Sequence, residues 1–260
     1  MSKQDLERYF SHLIYSQETC FWDQQKQAIS AQHQRKLGHI VMSKTAASKL
    51  VPEQVDAIWR QVILDKGVMQ LPFEEEALQL IYRLRLAAKE LSQYDWPDMS
   101  EQGLQDSIEQ WLLPYLQKMS SWQQLSKLRF VDILNSQLEW AAQKRLNDCL
   151  PSKYLLPTRR HAKLNYSPAG TVQLSVRMQE MYGQADTPEL ANGRVKLQME
   201  LLSPAGRPLQ TTQDLAGFWQ GSYRHVQKEM KGRYPRHFWP DNPANALATD
   251  KTKKKMNAKQ

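Results

Sequence analysis

The arrangement of apolar residues in residues 201–243 limits the fold of this chain more than any other feature. Thr211 and Asp214 have the spacing of a helix N-terminal cap, and Gly232 and Pro235 are typical of a helix end. Between them an apolar stripe recurs at helical spacing, formed by Leu215, Phe218, Trp219, Ser222, Val226 and Met230. The pattern predicts one long amphipathic helix of about 30 Å.

The opposite face of this predicted helix is basic. Arg224, Lys228 and Lys231 lie together on it, and Arg233 and Arg236 extend the positive charge past the helix end. Such a row is either the solvated side of a packed helix or a surface that contacts phosphates. Both interpretations stay open on the sequence alone.

Two aromatic residues after the helix stand directly before prolines. Tyr234 precedes Pro235 and Trp239 precedes Pro240, and a residue before proline favours extended backbone. Rings held on an extended chain either dock into a groove or stack on bases. We therefore treat Tyr234 and Trp239 as candidate interface residues.

The charge of the chain is unevenly distributed. Residues 1–150 hold 17 Lys and Arg against 19 Asp and Glu, a balance of -2, whereas residues 151–260 hold 18 against 8, a balance of +10. An asymmetry of this kind indicates contact with a polyanion or a basic tail. Arg159 and Arg160 belong to the basic part and join the candidate nucleic-acid contacts.

The remaining periodicity predicts a mainly helical chain that contains some β-structure. We expect a short helix over residues 5–16 and strands within 20–30 and 36–43. Helical spacing then continues through 52–67, 74–92, 100–118 (kinked or shortened at Pro114) and 122–149, which predicts a helical bundle. Residues 151–170 have no clear period and are interpreted as a connection, 172–182 as a helix, and 195–201 as a strand.

Known catalytic and metal-binding patterns are missing from the sequence. Gly38 to Thr45 approaches a phosphate-binding loop, but Ser43 stands where that loop needs its second glycine. The six histidines and two cysteines follow no metal-ligand spacing. We therefore assign no catalytic or metal-binding residue. Since the sequence contains neither a signal peptide nor an apolar run long enough to span a membrane, we expect a cytoplasmic protein without membrane contact.

The sequence resembles the C-terminal region of the bacterial HrpB-type ATP-dependent RNA helicases of the DEAH-box group. The resemblance is carried by Ser203-Pro204, Arg207-Pro208, Thr212, Asp214-Leu215-Ala216, Phe218-Trp219, Tyr223, Lys228, Gly232 to Pro235, His237 and Trp239-Pro240. Upstream it includes Leu155 to Arg160, Asn165-Tyr166, Val176 to Gly183 and Thr187-Pro188, and more loosely Trp96 to Asp98, Trp111 to Leu116 and Leu37 to Ser43.

The resemblance implies an α+β, mainly helical fold. It would comprise a remnant of an OB-like β segment in 1–50, a helical region in 51–150, a small α/β C-terminal domain of HrpB type in 151–246, which contains the long amphipathic helix, and a basic disordered tail in 247–260. ATP and magnesium are implied for the full-length family alone, because the phosphate-binding loop and the DEAH motif have no counterpart in this chain. The chain itself is expected to carry no cofactor.

Two functions are compatible with this resemblance. In the first, the chain is an accessory module that binds RNA or another single-stranded nucleic acid, without ATPase activity of its own. In the second, it is a structural clamp or protein-interaction domain on the helicase core, or a truncated helicase fragment without function. Loss of RNA binding after substitution of the basic residues would favour the first, and loss of core binding after Trp239→Ala would favour the second.

Overall fold

The computed structural model describes residues 9–47 and 49–257, which combine helices with β-sheets. The chain divides into two units, each of which draws on two separate parts of the sequence. The first unit contains Met1–Leu78 and Met99–Gln137, and the second contains Gln79–Asp98 and Leu138–Gln260.

The first unit begins with an antiparallel sheet of three strands. Strands β1 (Ile14–Asp23), β2 (Ala28–Leu37) and β3 (Ile40–Ala47) lie in that order. The predicted β-structure is therefore present and is longer than expected. The helix predicted over residues 5–16 ends earlier than expected: Tyr9 is helical, but Ser11–Leu13 form a 3-10 turn and β1 pairs with β2 from Ile14 onward. Residues 5–8 lie outside the described residues.

Short helices form the rest of the first unit. They are α1 (Pro52–Lys66), the first turn of α2 (Glu75–Glu90), α3 (Glu101–Asp106), α4 (Ile108–Trp111), α5 (Leu113–Leu116) and α6 (Phe130–Asn135), with 3-10 helices at Val68–Gln70 and Trp122–Lys127. As predicted, α1 starts at a proline and ends at Gly67, which takes a φ of 91°. The helix predicted over 100–118 is divided into three: Pro114 occupies the first turn of α5 and accounts for the break at Leu112, and a second break lies at Ser107.

Trp59 anchors the core of the first unit. Its side chain is fully buried, its indole nitrogen donates to the Met119 carbonyl over 3.0 Å, and its ring lies 5.6 Å from that of Trp22 in β1. Glu74 plays a different part, since its carboxylate accepts from the backbone nitrogens of Phe130 and Val131 and so caps the start of α6. The helix predicted over 122–149 is consequently interrupted.

The second unit is built on a five-stranded sheet in the order β10-β9-β6-β5-β4. The strands are β4 (Lys153–Leu155), β5 (His161–Tyr166), β6 (Val172–Arg177), β9 (Gln198–Leu202) and β10 (Pro208–Thr212), and a separate pair is formed by β7 (Glu189–Leu190) and β8 (Val195–Lys196). Strands β6 and β9 pair in parallel, and the other neighbours pair antiparallel. Helix α7 (Trp140–Cys149) precedes the sheet.

The sheet corrects two predictions. Residues 151–170 are not a plain connection, because they contain β4 and β5. Residues 172–182 are not a helix: Val172, Leu174 and Val176 alternate with more exposed neighbours and are buried, as in a half-buried strand, and only Met178–Met181 make a 3-10 turn. The strand predicted over 195–201 is confirmed as β8 and β9.

Side chains from α2 complete the backbone hydrogen bonding of the sheet unit. The Gln79 amide accepts from the Tyr166 nitrogen over 2.8 Å and donates to the Tyr166 carbonyl over 3.2 Å. The buried Arg83 donates from Nε to the Leu150 carbonyl over 2.9 Å. Because buried backbone groups need partners, these two residues stabilise the edge of β5 and the end of α7.

The predicted long amphipathic helix consists of two helices, α8 (Leu215–Gln220) and α9 (Tyr223–Arg233). The break lies at Gly221, whose φ of -103° and ψ of -97° are not helical. The N-terminal cap is Asp214, whose carboxylate accepts from the Gly217 nitrogen over 2.9 Å, rather than Thr211. The buried residues of the pair are Leu215, Phe218, Trp219, Tyr223, Gln227 and Met230.

The segment expected to be a basic disordered tail makes contacts within the second unit. The Thr249 nitrogen donates to the Gln179 carbonyl, and the Lys253 nitrogen donates to the Arg236 carbonyl, both over 2.9 Å. Thr249 is buried, and a short helix α10 spans Lys253–Asn257.

Candidate nucleic-acid interface

The 3-10 turn at Met178–Met181 positions the chain after α9. Its Gln179 is buried and donates from Nε2 to the Phe238 carbonyl over 2.8 Å, which directs Oε1 toward Nδ1 of His237, 3.0 Å away. Since a glutamine oxygen only accepts, the His237 ring donates from Nδ1. Burial lowers the pKa of His237, and the positive charge of Arg177 lowers it further. The neutral imidazole is thus the favoured form.

Arg160, one of the predicted nucleic-acid contacts, is engaged within the protein. Its guanidinium donates to both carboxylate oxygens of Glu180, from Nε over 2.7 Å and from Nη2 over 2.9 Å. Glu180 is buried, while the Arg160 side chain is 52% exposed. The hydrogen bonds to Glu180 raise the pKa of Arg160 despite some burial. The Arg160 guanidinium is therefore already bound by a carboxylate.

Arg159 differs from its neighbour. It lies in the turn between β4 and β5 with a φ of 64°, and its nitrogen donates to the Leu156 carbonyl over 2.8 Å. Arg159 is exposed to solvent. Among the described residues it forms no ion pair, so its charge faces solvent and is available to a ligand.

Gln227 fixes the orientation of α9. Its Nε2 lies 2.7 Å from the Pro240 carbonyl and 2.9 Å from a carboxylate oxygen of Asp241, so it holds the returning chain against the helix. Tyr223 adds a hydroxyl bond of 2.8 Å to the same Pro240 carbonyl, and burial raises the pKa of Tyr223 to about 12. Arg224 and Lys228, one turn apart, follow Tyr223 and Gln227 in the sequence, lie about 100° further round the helix and are exposed.

The predicted cations on and after α9 fall into two groups. Lys231 pairs with Asp241 over 3.5 Å, and Arg233 pairs with Glu229 over 3.3 Å. The hydrogen bond from Gln227 and the charge of Lys231 lower the pKa of Asp241. Within the described residues, no ion pair is formed by Arg224, Lys228 or Arg236. The structure therefore brings four predicted cations onto one short helix. Two of those four, Arg224 and Lys228, form no ion pair among the described residues, although the charge of Arg224 also helps to lower the pKa of Asp241.

The two candidate interface aromatics have different surroundings. Trp239 is 4% exposed, and its indole nitrogen donates to the Tyr234 carbonyl over 3.1 Å. Its ring is part of the core of its own unit and is not presented to a partner, which corrects the expectation of a docking anchor. Tyr234 is partly exposed and meets the His237 ring edge to face, with centroids 6.1 Å apart.

The sequence interpretation missed several exposed residues. Lys153, Lys163 and Arg177 are exposed positions on β4, β5 and β6, and the signal for them was the period-two alternation within residues 161–166 and 172–177. Trp140, at the start of α7, is 75% exposed with Lys144 Nζ 5.6 Å from its ring centroid. Composition alone does not separate this tryptophan from the buried ones.

The near phosphate-binding loop does not fit ATP. Ser43, Lys44 and Thr45 lie within β3, where they pair with Arg35, Gln34 and His33 of β2. A phosphate cradle needs consecutive backbone nitrogens turned toward one point, and a paired strand directs them alternately to either side. The described residues also contain no group of three His, Cys, Asp or Glu side chains placed to hold a metal ion.

No helix within residues 9–47 and 49–257 is both long and apolar enough to cross a membrane.

Comparisons with known proteins agree on one group. The family described as ATP-dependent helicase C-terminal matches residues 111–243. The ATP-dependent RNA helicase HrpB of Escherichia coli K12 is 42% identical over 242 residues, which are 93% of this chain and 30% of that protein. This chain therefore spans about a third of the length of the curated relative it matches.

Two solved structures are also similar. The crystal structure of the E. coli DExH-box NTPase HrpB matches with a TM-score of 0.76 and 40% identity over 97% of this chain and 31% of that one. The crystal structure of the E. coli DEAH/RHA helicase HrpB matches with a TM-score of 0.66 and 39% identity over 87% of this chain and 29% of that one. The chain belongs to the ATP-dependent helicase C-terminal family.

Proposed function

We propose that this chain is an accessory C-terminal module of an HrpB-type ATP-dependent RNA helicase, and that its C-terminal domain, residues 151–246, contacts single-stranded nucleic acid. The main support is the placement of Arg224 and Lys228. They stand one turn apart on α9, exposed and without an ion pair among the described residues, on a helix whose adjacent side is anchored by Gln227 and Tyr223. Two such cations can contact neighbouring phosphates.

The other predicted cations take lesser roles in this proposal. Arg159 and Arg236 add uncompensated charge, while Arg160, Lys231 and Arg233 are shared with carboxylates and bind more weakly. Catalysis of ATP hydrolysis is assigned to the rest of the helicase, because the stretch closest to a phosphate-binding loop is a paired strand. We place the module in the cytoplasm, which its two unpaired cysteines, Cys20 and Cys149, suit.

Fluorescence anisotropy with a labelled oligouridylate tests the nucleic-acid contact. The purified chain is titrated without ATP over a series of salt concentrations, and Arg224→Gln with Lys228→Gln is compared with Lys231→Gln with Arg233→Gln. Both variants remove two charges from α9, so total charge is matched. Loss of Arg224 and Lys228 should reduce the salt slope by about 1.4, at roughly 0.7 per phosphate contact. Equal effects of the two variants would contradict the proposed site.

A second role is favoured by the three-stranded sheet. Tyr15, Phe21 and Val41 share one face of it, with exposures of 49%, 39% and 39%, because Tyr15 and Val41 both pair with Lys36. Apolar side chains left open on a sheet indicate that another layer covers them. We propose that this sheet is part of an OB-like barrel completed by the helicase core, so that the chain also serves as a clamp.

Co-purification measures this second role directly. The chain is expressed together with the part of the E. coli relative that it does not match, and capture is compared for the unchanged chain, for Tyr15→Ser with Phe21→Ser, and for Tyr115→Ser. Tyr115 is 44% exposed in another element of the same unit and serves as the control. Capture that is lost only with the sheet variant supports the clamp, and capture that survives it removes this role.

A further inference from the structure

One buried glutamine joins three separate segments of the second unit. Gln179 donates from Nε2 to the Phe238 carbonyl over 2.8 Å, and its Oε1 accepts from Nδ1 of His237 over 3.0 Å. Its own carbonyl accepts from the Thr249 nitrogen over 2.9 Å. The turn after β6, the chain after α9 and the C-terminal segment therefore meet at this residue.

A basic residue stands beside each of these three links. Arg177 lies two residues before Gln179. Arg236 immediately precedes the bonded histidine, and Lys251 follows the bonded threonine by two residues. Arg177 and Arg236 are exposed, and Lys251 is partly exposed. The fold thus gathers cations that lie far apart in the sequence.

The C-terminal segment adds another lysine to this place. Thr252 forms an antiparallel bridge with His237, and the Lys253 nitrogen donates to the Arg236 carbonyl over 2.9 Å. Nζ of Lys253 lies 3.2 Å from the Pro235 carbonyl, although the residue is exposed. The segment that was expected to be disordered is therefore held against the chain after α9, with Lys253 beside Arg236.

The charge at this place is positive. Within residues 9–47 and 49–257, none of the four cations forms an ion pair. The acidic residue of the C-terminal segment, Asp250, acts elsewhere: Glu180 raises the pKa of Arg160, and the charge of Asp250 adds to that effect. Burial and then the charge of Arg177 lower the pKa of His237, which is the effect expected of an excess of positive charge.

The number of cations favours phosphates over the carboxylates of a protein. At Arg160, one guanidinium satisfies both oxygens of the Glu180 carboxylate, so a single carboxylate at the junction would leave most of its cations unmatched. A nucleic-acid strand carries a charge on every nucleotide, whereas a peptide reaches that density only in an uninterrupted acidic run. Arg177 and Arg236 also have planar guanidinium groups, which bind phosphate oxygens in pairs.

We propose that this place, here called the Gln179 junction, binds phosphate groups of the RNA strand through Arg177, Arg236, Lys251 and Lys253. The inference rests on the proposed function in taking RNA as the ligand, but its site lies outside α9 and includes chain beyond residue 246. Gln179 is a positioning residue, because it holds the three segments together. An internal phosphodiester and a terminal phosphate share this chemistry, and the test distinguishes them.

The test titrates the whole purified chain, over a series of salt concentrations, into labelled oligouridylate that ends in a phosphate or in a hydroxyl. Arg177→Gln with Lys251→Gln removes two cations of the junction, and Lys118→Gln with Lys127→Gln removes two exposed lysines of the first unit as a charge-matched control. None of these four side chains forms a hydrogen bond or ion pair among the described residues, so both variants should fold.

We expect the junction variant to bind about tenfold more weakly at low salt, with a salt slope reduced by about 1.4, and the control to bind as the unchanged chain does. Tighter binding of the phosphate-ended strand that the junction variant loses would assign the site to the strand end. Equal affinity for the two strands, with both weakened in the junction variant, would assign it to internal phosphodiesters.

An NMR titration of His237, identified with His237→Asn, reports on the junction itself. Gln179, the Tyr234 ring and the bridged Thr252 surround this imidazole, and Arg177 is the charged neighbour that lowers its pKa after burial. A bound phosphate brings negative charge and should raise that pKa. The oligouridylate should therefore raise it in the unchanged chain and leave it unaltered in the junction variant.

The outcomes separate this inference from the function proposed above. If the junction variant binds RNA as tightly as the unchanged chain, the junction is not a phosphate site, whereas the α9 site depends on its own variants. If that variant loses affinity for polyglutamate but not for RNA, the junction binds an acidic protein and the phosphate assignment is wrong. If it weakens RNA binding while the variant of Arg224 and Lys228 does not, the junction stands and the α9 site fails. If the folded, unchanged chain does not bind RNA, both proposals fail.

Discussion

Arg160 and Glu180 form a bidentate ion pair in which the carboxylate is buried and the guanidinium is half exposed. Arg160→Ala leaves that carboxylate with no cation to offset its loss of water. We expect it to lower the free energy of unfolding by about 2–3 kcal/mol. Urea unfolding measures the change, and Arg160→Ala combined with Glu180→Gln should recover part of it. If Arg160→Ala is as stable as the unchanged chain, the pair makes no net contribution.

The cap of α8 separates two interpretations of the same sequence. Asp214 accepts from the Gly217 nitrogen, so Asp214→Ala should cost about 1 kcal/mol of stability. Thr211, which has the spacing of a capping residue, is exposed and lies in β10, and its replacement by alanine should have little effect. Thermal unfolding of the two variants checks this, and a larger loss for Thr211→Ala would contradict the assigned cap.

Two tryptophans of the second unit should respond very differently to truncation. Trp239→Ala removes a buried ring and an indole hydrogen bond, and should cost about 3–5 kcal/mol. Trp140→Ala removes a mostly exposed ring and should change stability by about 0.5 kcal/mol or less. Chemical unfolding of both variants provides the measurement. Similar losses would mean that Trp140 is covered in solution.

His237 should make stability depend on pH in the weakly acidic range. Burial and Arg177 lower its pKa in the folded state, so the unfolded chain binds a proton more readily. Its contribution is complete above the unfolded pKa of about 6.5 and is lost as the pH falls from there toward the lower folded pKa. Unfolding measured over this range should show a weaker pH dependence for His237→Asn. Parallel curves for the two proteins would exclude His237 as the source.

Local signals were sufficient for some of the fold. Helix α1 could be predicted because Pro52 and Gly67 mark its ends while Val55 and Trp59 share its buried side. A kink or shortening of the predicted helix near Pro114 was expected from the proline ring, whereas the break at Ser107 was not. The β character of β1 to β3 was visible as well, although the first helix was extended into β1. In these segments, neighbouring residues alone favour the observed backbone.

The errors arose where distant contacts decide the structure. The apolar spacing of α8 and α9 continues across Gly221, so periodicity cannot show that the backbone turns there. Residues 172–182 combine strand β6 with a methionine-rich 3-10 turn. The residues of that turn favoured the prediction of a helix over the whole segment. For the candidate site, the sequence located the cations, but it could not show that Arg160 is held by Glu180, twenty residues away. Only the fold separates compensated from free charges.

The support that α2 gives to the sheet bears on where this protein could be divided. The matched family covers residues 111–243, yet Gln79 and Arg83, which satisfy the backbone of Tyr166 and Leu150, lie before that range, and Thr249, which binds Gln179, lies after it. A polypeptide excised at the family limits would keep the matched residues 111–243 and lose these partners of its own backbone. The segment by which the family is matched is therefore smaller than the segment that completes its own backbone hydrogen bonds.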